Sequence, residues 1–480
     1  MQTIKVILLL IMGFVIPVNS SAQDKSVFEQ WLQNKQGAFT QFKDARDKAF
    51  LEKIQVRWMA YKAQPGIVRD STPKPTVAPI WSDNDFQKEY GNLIQLEKPL
   101  VKASPTQPKQ SLPMQRHISG RPVLFDFFGD DIELMLPKNF NVNLKHELDD
   151  DVISQAWGQL ARSDYDVVID QLHHEITAYQ LEDWGTIQLV LKFANAISGF
   201  KGNDPIIQSW FLLNRLGMDV RVARSKSSVF LLLPIKQQVF EVAFLTERGK
   251  KYYIFTMNGG VKNTRTLYTY KGAFDPMVRS INVDFESLSW KKPQLISGTL
   301  GFQWKDSQFS LMTEYAEQDI QFYRSYPLLG LERYFDSNYR FDYQNKLVVQ
   351  LHDIINGRPE VEALNLILRF VQSSFKYETD RDQFGQENYL LPTEMLHYRA
   401  SDCEDRSILF AWLVKELFGY KVIGLKYPGH VATAVAIKGD FIGDTVEFGS
   451  QKYLIADPTY INANMGVAMK SYRNLRPELL

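Results

Sequence analysis

Apolar positions in the first part of the chain recur at helical steps. Phe28 and Trp31, Phe39 and Phe42, then Phe50, Ile54, Trp58 and Tyr61 stand three or four residues apart among charged neighbours. That spacing lines one face of a helix. It predicts a helical segment over 24–64, packed on the rest of the chain or offering a surface to a protein partner. Prolines then crowd the sequence, among them Pro65, Pro73, Pro75, Pro79, Pro99, Pro105, Pro108 and Pro113. Residues 65–121 therefore read as an extended linker or wrapping segment.

From residue 122 the pattern changes to strands followed by helices, and it occurs twice. Leu124–Leu136 alternates about a turn at Gly129-Asp130-Asp131, and Leu300–Met312 alternates about Lys305-Asp306-Ser307; both read as hairpins. The apolar run Ile187–Phe193 matches Leu364–Phe370 in character. Trp210–Ile235 lies ungapped over Trp412–Ile437, with a shared Trp, a Gly at 217 and 419, and a Val at 220 and 422. The order of these matched pieces predicts an internal duplication. It sets one unit at 122–260, a connecting segment at 261–295 and a second unit at 296–480.

Composition narrows the partners. The 480 residues carry 55 Lys plus Arg against 55 Asp plus Glu, so no net field draws the chain to nucleic acid or an anionic membrane. At the start, Lys5, the apolar run Val6–Val15 and Ser20-Ser21-Ala22 form an export signal over 1–22. That run is too short to span a bilayer, and none later is long enough. An exported chain with a single cysteine has no internal disulfide, so the thiol is either buried and inert or kept for its chemistry.

The neighbours of that cysteine favour chemistry. Ser401-Asp402-Cys403-Glu404 precedes an apolar stripe through Ile408, Leu409, Trp412 and Leu417. Ser401 and Glu404 have capping-box spacing, which sets Cys403 in the first helical turn. There the helix dipole favours a thiolate and free N–H groups can meet an oxyanion. Glu404 and Asp405 oppose that charge, so a cationic partner is required. His430 opens an alternating strand after Tyr427-Pro428-Gly429, and Asp457 closes the strand Tyr453–Ala456. An antiparallel pair of these strands brings imidazole and carboxylate together, so that Asp457 orients His430 and His430 takes the thiol proton.

Glu394, Ser401-Asp402-Cys403-Glu404-Asp405, the helix through Trp412, Tyr-Pro-Gly-His and Ala-Asp-Pro-Thr-Tyr together resemble bacterial transglutaminase-like proteins, over roughly residues 360–465. Ser401 departs from the Gly that many members carry two residues before the nucleophile. The resemblance implies an α+β fold with a papain-like core, a Cys403, His430, Asp457 triad and thioester chemistry. The earlier unit is then a degenerate copy, with Lys201, Ser228 and Thr256 at the triad positions.

The expected activity is hydrolysis of an amide or peptide bond in a peptide or protein substrate, outside the cytoplasm. Amine transfer, and a non-catalytic binding or assembly protein with a relic triad, are the alternatives. No cofactor or metal is expected. His173-His174-Glu175 point apart on a helix. Asp380, Asp382 and Gly385 fail the calcium-loop template at Phe384 and at the missing closing Glu. Asp149-Asp150-Asp151 reads as a helix start near Val152.

Overall fold

The computed structural model describes residues 44–69, 77–81, 120–144, 148–199, 202–264, 266–275, 277–285, 287–336, 345–438, 441–449 and 451–480. The export signal, the helical pattern before residue 44, Lys201 and most of the proline-rich segment lie outside these residues. Contacts divide the chain at residue 53. In the first unit, residues 44–53 are helical, as their pattern predicts. All that follows concerns the second unit, 54–480, a mixture of helices and largely antiparallel strands.

The predicted helix does not reach residue 64. Met59–Lys62 is a strand, paired antiparallel with Thr266–Thr269 so that Met59 faces Thr269 and Lys62 faces Thr266. Two contacts turn the chain at Trp58. Its backbone N–H donates to Asp150 (3.0 Å) and its indole N–H to the Ile54 carbonyl (2.9 Å). An open sheet edge then satisfies the backbone that a further helical turn would have satisfied itself. Periodicity cannot register that tertiary competition.

Both hairpins form. Arg121–Phe127 pairs with Asp130–Leu136 from Phe127 opposite Asp130. The turn is therefore Phe128-Gly129, one residue earlier than the pattern suggested. Both residues have positive φ (55° and 102°), as a tight two-residue hairpin turn demands. Leu295–Trp304 pairs with Ser307–Ala316. Each hairpin packs against a helix carrying one of the matched apolar runs, Asp183–Ser198 for the first and Glu360–Ser373 for the second.

Two antiparallel sheets follow. In the first, the order Arg221–Arg224, Val229–Leu233, Lys250–Thr256, Phe244–Glu247 is extended by Thr266–Thr269 and Met59–Lys62 beyond Arg221–Arg224. In the second, the order is Val422–Tyr427, His430–Val435, Gln451–Ala456, Thr445–Phe448, with Glu478–Leu479 beyond Val422–Tyr427. Registers agree as well as order. Arg221 faces Leu232 as Ile423 faces Ala434, and Leu231 faces Phe255 as Thr433 faces Ala456. Phe244 faces Tyr253 as Thr445 faces Leu454. A helix precedes each sheet, Asp204–Arg215 and Cys403–Phe418.

The core beneath the second sheet joins Leu364, Ile367 and Phe370 to Leu409, Leu413 and Val414, and these to Val435, Leu454 and Ala456. Each of these side chains larger than alanine contributes roughly 1.5–3 kcal/mol by leaving water, so the start of Cys403–Phe418 is set on a rigid bed. Parts of the proline-rich segment wrap the same unit. The guanidinium of Arg69 lies 3.8 Å above the Tyr389 ring centre. Farther on, the Trp81 N–H donates to the Ile461 carbonyl (2.7 Å) and the Ile461 N–H to the Pro79 carbonyl (2.8 Å). Among the described residues no helix is long and apolar enough to cross a membrane.

Candidate active site

Cys403 is the first residue of its helix, and the cap lies one position later than expected. Asp402, in extended backbone, is the N-cap. Asp405, three residues on, accepts the Asp402 N–H through Oδ2 (3.3 Å) and the Leu390 N–H through Oδ1 (2.7 Å). Ser401 is drawn out of the capping role. It belongs to the short strand Ala400–Ser401, paired with Lys376–Tyr377, and its Oγ accepts from Arg406 Nε (3.2 Å). The shift leaves the Glu404 side chain uninvolved in capping. It turns to the thiol, and Cys403 Sγ donates to Glu404 Oε2 at 2.9 Å.

His430 opens its strand directly opposite Tyr427. Between them Pro428 restricts its own φ and Gly429 supplies a φ of 75°, a pairing suited to a tight turn. Asp457 follows Ala456, the last residue of the adjacent antiparallel strand. His430 Nε2 and Asp457 Oδ2 are 2.8 Å apart. The other carboxylate oxygen accepts the N–H groups of Thr459 (3.0 Å) and Tyr460 (3.1 Å). Gln372 Nε2 donates to the carbonyls of Asp457, Tyr460 and Ala463 and so fixes the whole loop.

Burial and charge compete at the imidazole. Burial alone would favour the neutral ring, but the charge and hydrogen bond of Asp457, with the charge of Glu404, hold the His430 pKa above its ordinary 6.5. With Nε2 directed to Asp457, Nδ1 is buried and makes no hydrogen bond, so it is the nitrogen available for proton exchange. The Tyr472 ring stacks on the imidazole, with centroids 5.0 Å apart and planes 21° apart. The Tyr472 hydroxyl is raised above its usual pKa by burial, then by the neighbouring Cys403 and Asp457 side chains.

The helix is tied to the histidine strand one turn beyond the thiol, where Ser407 Oγ donates to the Val431 carbonyl (3.2 Å). His430 and Asp457 are paired, Cys403 stands at the start of the helix tied to the histidine strand, and all three are buried, at 2%, 2% and 0% exposure. Those figures matter because a substrate carbonyl must reach a thiol that is buried in this structure.

Arg406, Gln372 and Tyr472 were not singled out by the sequence pattern. Arg406 lies buried and donates to the carbonyls of Gln372 (3.1 Å) and Phe375 (2.8 Å), bolting the first helical turn to the preceding layer. Burial lowers its pKa to about 10, opposed by Tyr377 and then by Asp402 and Asp405. An arginine between an acidic run and an apolar stretch, three residues after the cysteine, was the available signal. Gln372 and Tyr472 offered none.

Oxygens of Asp380, Asp402 and Asp405 come within 4.8 Å of one another, as do ligand atoms of Asp402, Cys403 and Glu404. Backbone N–H groups answer part of the acidic cluster, since Asp380 accepts from Asn388 (2.8 Å) and Asp405 from Leu390 and Asp402. Arg406 is the cation nearest Asp402 and Asp405, but its hydrogen bonds go to Ser401, Gln372 and Phe375, so in this cluster one cation stands beside several acids. Asp382 does not join it and instead accepts from the Thr379 hydroxyl (2.7 Å). Asp149 caps its helix through the Val152 N–H (2.7 Å), as expected. Glu175 pairs with Lys291 (2.5 Å), apart from His173 and His174.

Glu394 stands away from the triad. It lines a cavity of about 460 Å³ with Arg324, Tyr326, Tyr334, Tyr389 and Tyr398, and burial pushes its carboxyl up to about 7. In the first half, Ser228 is engaged with Ser225 and the Thr256 hydroxyl donates to the Gly259 carbonyl (3.2 Å).

Compared with protein-family models, curated proteins and solved structures, the chain matches none.

Proposed function

We propose that the protein is an exported cysteine acyl-transfer enzyme with a papain-like, transglutaminase-type core, hydrolysing amide or peptide bonds through Cys403, His430 and Asp457. The observation that carries this reading is the buried 2.8 Å contact from His430 Nε2 to Asp457, beside a thiol at the start of a helix. The contact leaves Nδ1 to accept the thiol proton. Cys403 attacks the substrate carbonyl and its backbone N–H meets the oxyanion. His430 protonates the leaving amine, and water then cleaves the thioester. Asp457 keeps the ring oriented and supports the imidazolium. Export rests on the Lys5 to Ala22 pattern.

The matching strand orders and registers support an ancestral duplication in which the earlier copy has lost its triad. Its Ser228 and Thr256 can neither serve as general base nor orient one, so its role is to bind or to support the active half.

The complete burial of Cys403 favours a second reading, a binding or assembly protein with a relic triad. Incubation with peptide libraries and a labelled primary amine separates the readings. Intact mass should reveal an acyl adduct that Cys403→Ala abolishes, with free acid as the main product. Label incorporation exceeding hydrolysis would make the protein a transamidase. Absence of both adduct and turnover would leave the binding reading.

A further inference from the structure

In the resting structure the thiol proton is directed away from the triad. Cys403 Sγ donates to Glu404 Oε2 at 2.9 Å, with Cys403 at 0% and Glu404 at 5% exposure. Meanwhile Nδ1 of His430 is buried without a hydrogen bond. The carboxylate sits where the negative charge of a thiolate would develop, and like charges in a dry site oppose ionisation strongly.

The neighbouring charges leave Glu404 in that role. On the same helix Asp402 and Asp405 form the cap and add negative charge. Arg406 is committed to Ser401, Gln372 and Phe375. Asp380, packed against the helix start, is a further acid, and Tyr377 lies against Arg406. From the sheet come His430 and, behind it, Asp457; from the C-terminal segment comes Tyr472, stacked on His430 and tilted against Tyr427. His430 is the one group among these that can stabilise a thiolate by taking its proton.

We infer that Glu404 is a latch on the nucleophile: its carboxylate keeps Cys403 protonated at rest, and the triad is armed when that carboxylate is drawn aside. The thiol proton then passes from Sγ to His430 Nδ1, leaving a thiolate beside an imidazolium. Glu404 acts here as a positioning residue. The inference rests on the triad reading above, and it adds a reason why the resting thiol is not already ionised.

A single cysteine makes the test direct. Thiolate absorbance near 240 nm is followed against pH in the full chain, with Cys403→Ala subtracted as the tyrosine background. Glu404→Gln keeps the size and removes the charge. It should lower the titration midpoint by about one unit, roughly tenfold more thiolate at a given pH below it. Glu404→Asp keeps the charge, withdraws the oxygen and should fall between. A Gln midpoint at or above that of the unmodified protein overturns the latch. If circular dichroism shows that the Gln variant does not fold, the Asp variant decides by the same criterion. His430→Ala is the control for the underlying reading. A midpoint it leaves unchanged defeats the triad itself, whereas a raised midpoint with no effect of Glu404→Gln defeats only the latch.

Discussion

The two sheets share strand order and registers, yet only one ends in ionisable partners. At the start of Val229–Leu233 stands Ser228, held in a turn by Ser225; the corresponding strand of the second sheet begins with His430. At the end of Lys250–Thr256 a threonine bonds back to its own turn; after Gln451–Ala456 the chain continues to Asp457, which binds His430. The first sheet spends its charges differently. Asp219 receives Lys250 (2.7 Å) and Tyr252 (3.0 Å), and Arg221 pairs with Glu247. Both networks leave buried polar atoms without a hydrogen bond, Asp219 Oδ1 and Arg221 Nε in the first and His430 Nδ1 in the second. The difference is chemical, because of these three atoms the imidazole nitrogen is the one that can take and give a proton near neutral pH.

The largest expected effect tests that contrast. Asp457→Asn should reduce amide hydrolysis by about 10²–10⁴-fold, because the ring loses its orienting charge, while Thr256→Asn should leave the rate unchanged. The same substitution has a signature in stability. His430 has a raised pKa in the folded protein, so its interaction with Asp457 stabilises most fully below the unfolded value of about 6.5. That stabilisation is lost as pH rises through the folded pKa. Denaturant midpoints from pH 5 to 9 should show the gap between the native protein and Asp457→Asn narrowing toward alkaline pH. A gap that widened would contradict the role given to this pair.

A second comparison asks whether the two halves are alike in everything but chemistry. Leu212 and Leu413 are both wholly buried, one in each helix that precedes a sheet. Either substitution to Ala should cost about 2–5 kcal/mol by chemical denaturation. Among molecules that remain folded, Leu413→Ala should also slow amide hydrolysis, since the helix bearing the thiol loses its bed, and Leu212→Ala should not. Equal effects on activity would mean that the first half takes part in catalysis.

What could be read in advance divides along the same physical line. Local periodicity sufficed for both hairpins and for the helix after Cys403, because their apolar positions face a single core. It also foresaw the His430–Asp457 pair, because the two strands that carry them are antiparallel neighbours. It failed where distant groups compete for the same backbone. Met59–Lys62 became a strand because an edge was open to it, and Trp58 found Asp150 far along the chain. The cap moved from Ser401 to Asp402 because Arg406 and a neighbouring strand claimed the serine. Gln372 joins three carbonyls of one loop, a role that no window of sequence contains.

The smallest effect concerns the caps, and it compares two helix starts, of which one carries the thiol. Asp149 is exposed, and its side chain accepts one hydrogen bond, from the Val152 N–H (2.7 Å). Asp149→Ala should therefore cost about 1 kcal/mol and no more, and the thiolate titration should be unmoved. Asp405 is fully buried and accepts two N–H groups, one from Leu390 outside its own helix. Removing it orphans both donors, at about 1–3 kcal/mol each, and frees the segment before the thiol. Asp405→Ala should thus be the more destabilising of the two by denaturant unfolding, and it alone should shift the Cys403 titration. Were Asp149→Ala to shift that titration equally, the thiol would be responding to global loosening, and the distinction between a structural cap and one that seats a nucleophile would fall.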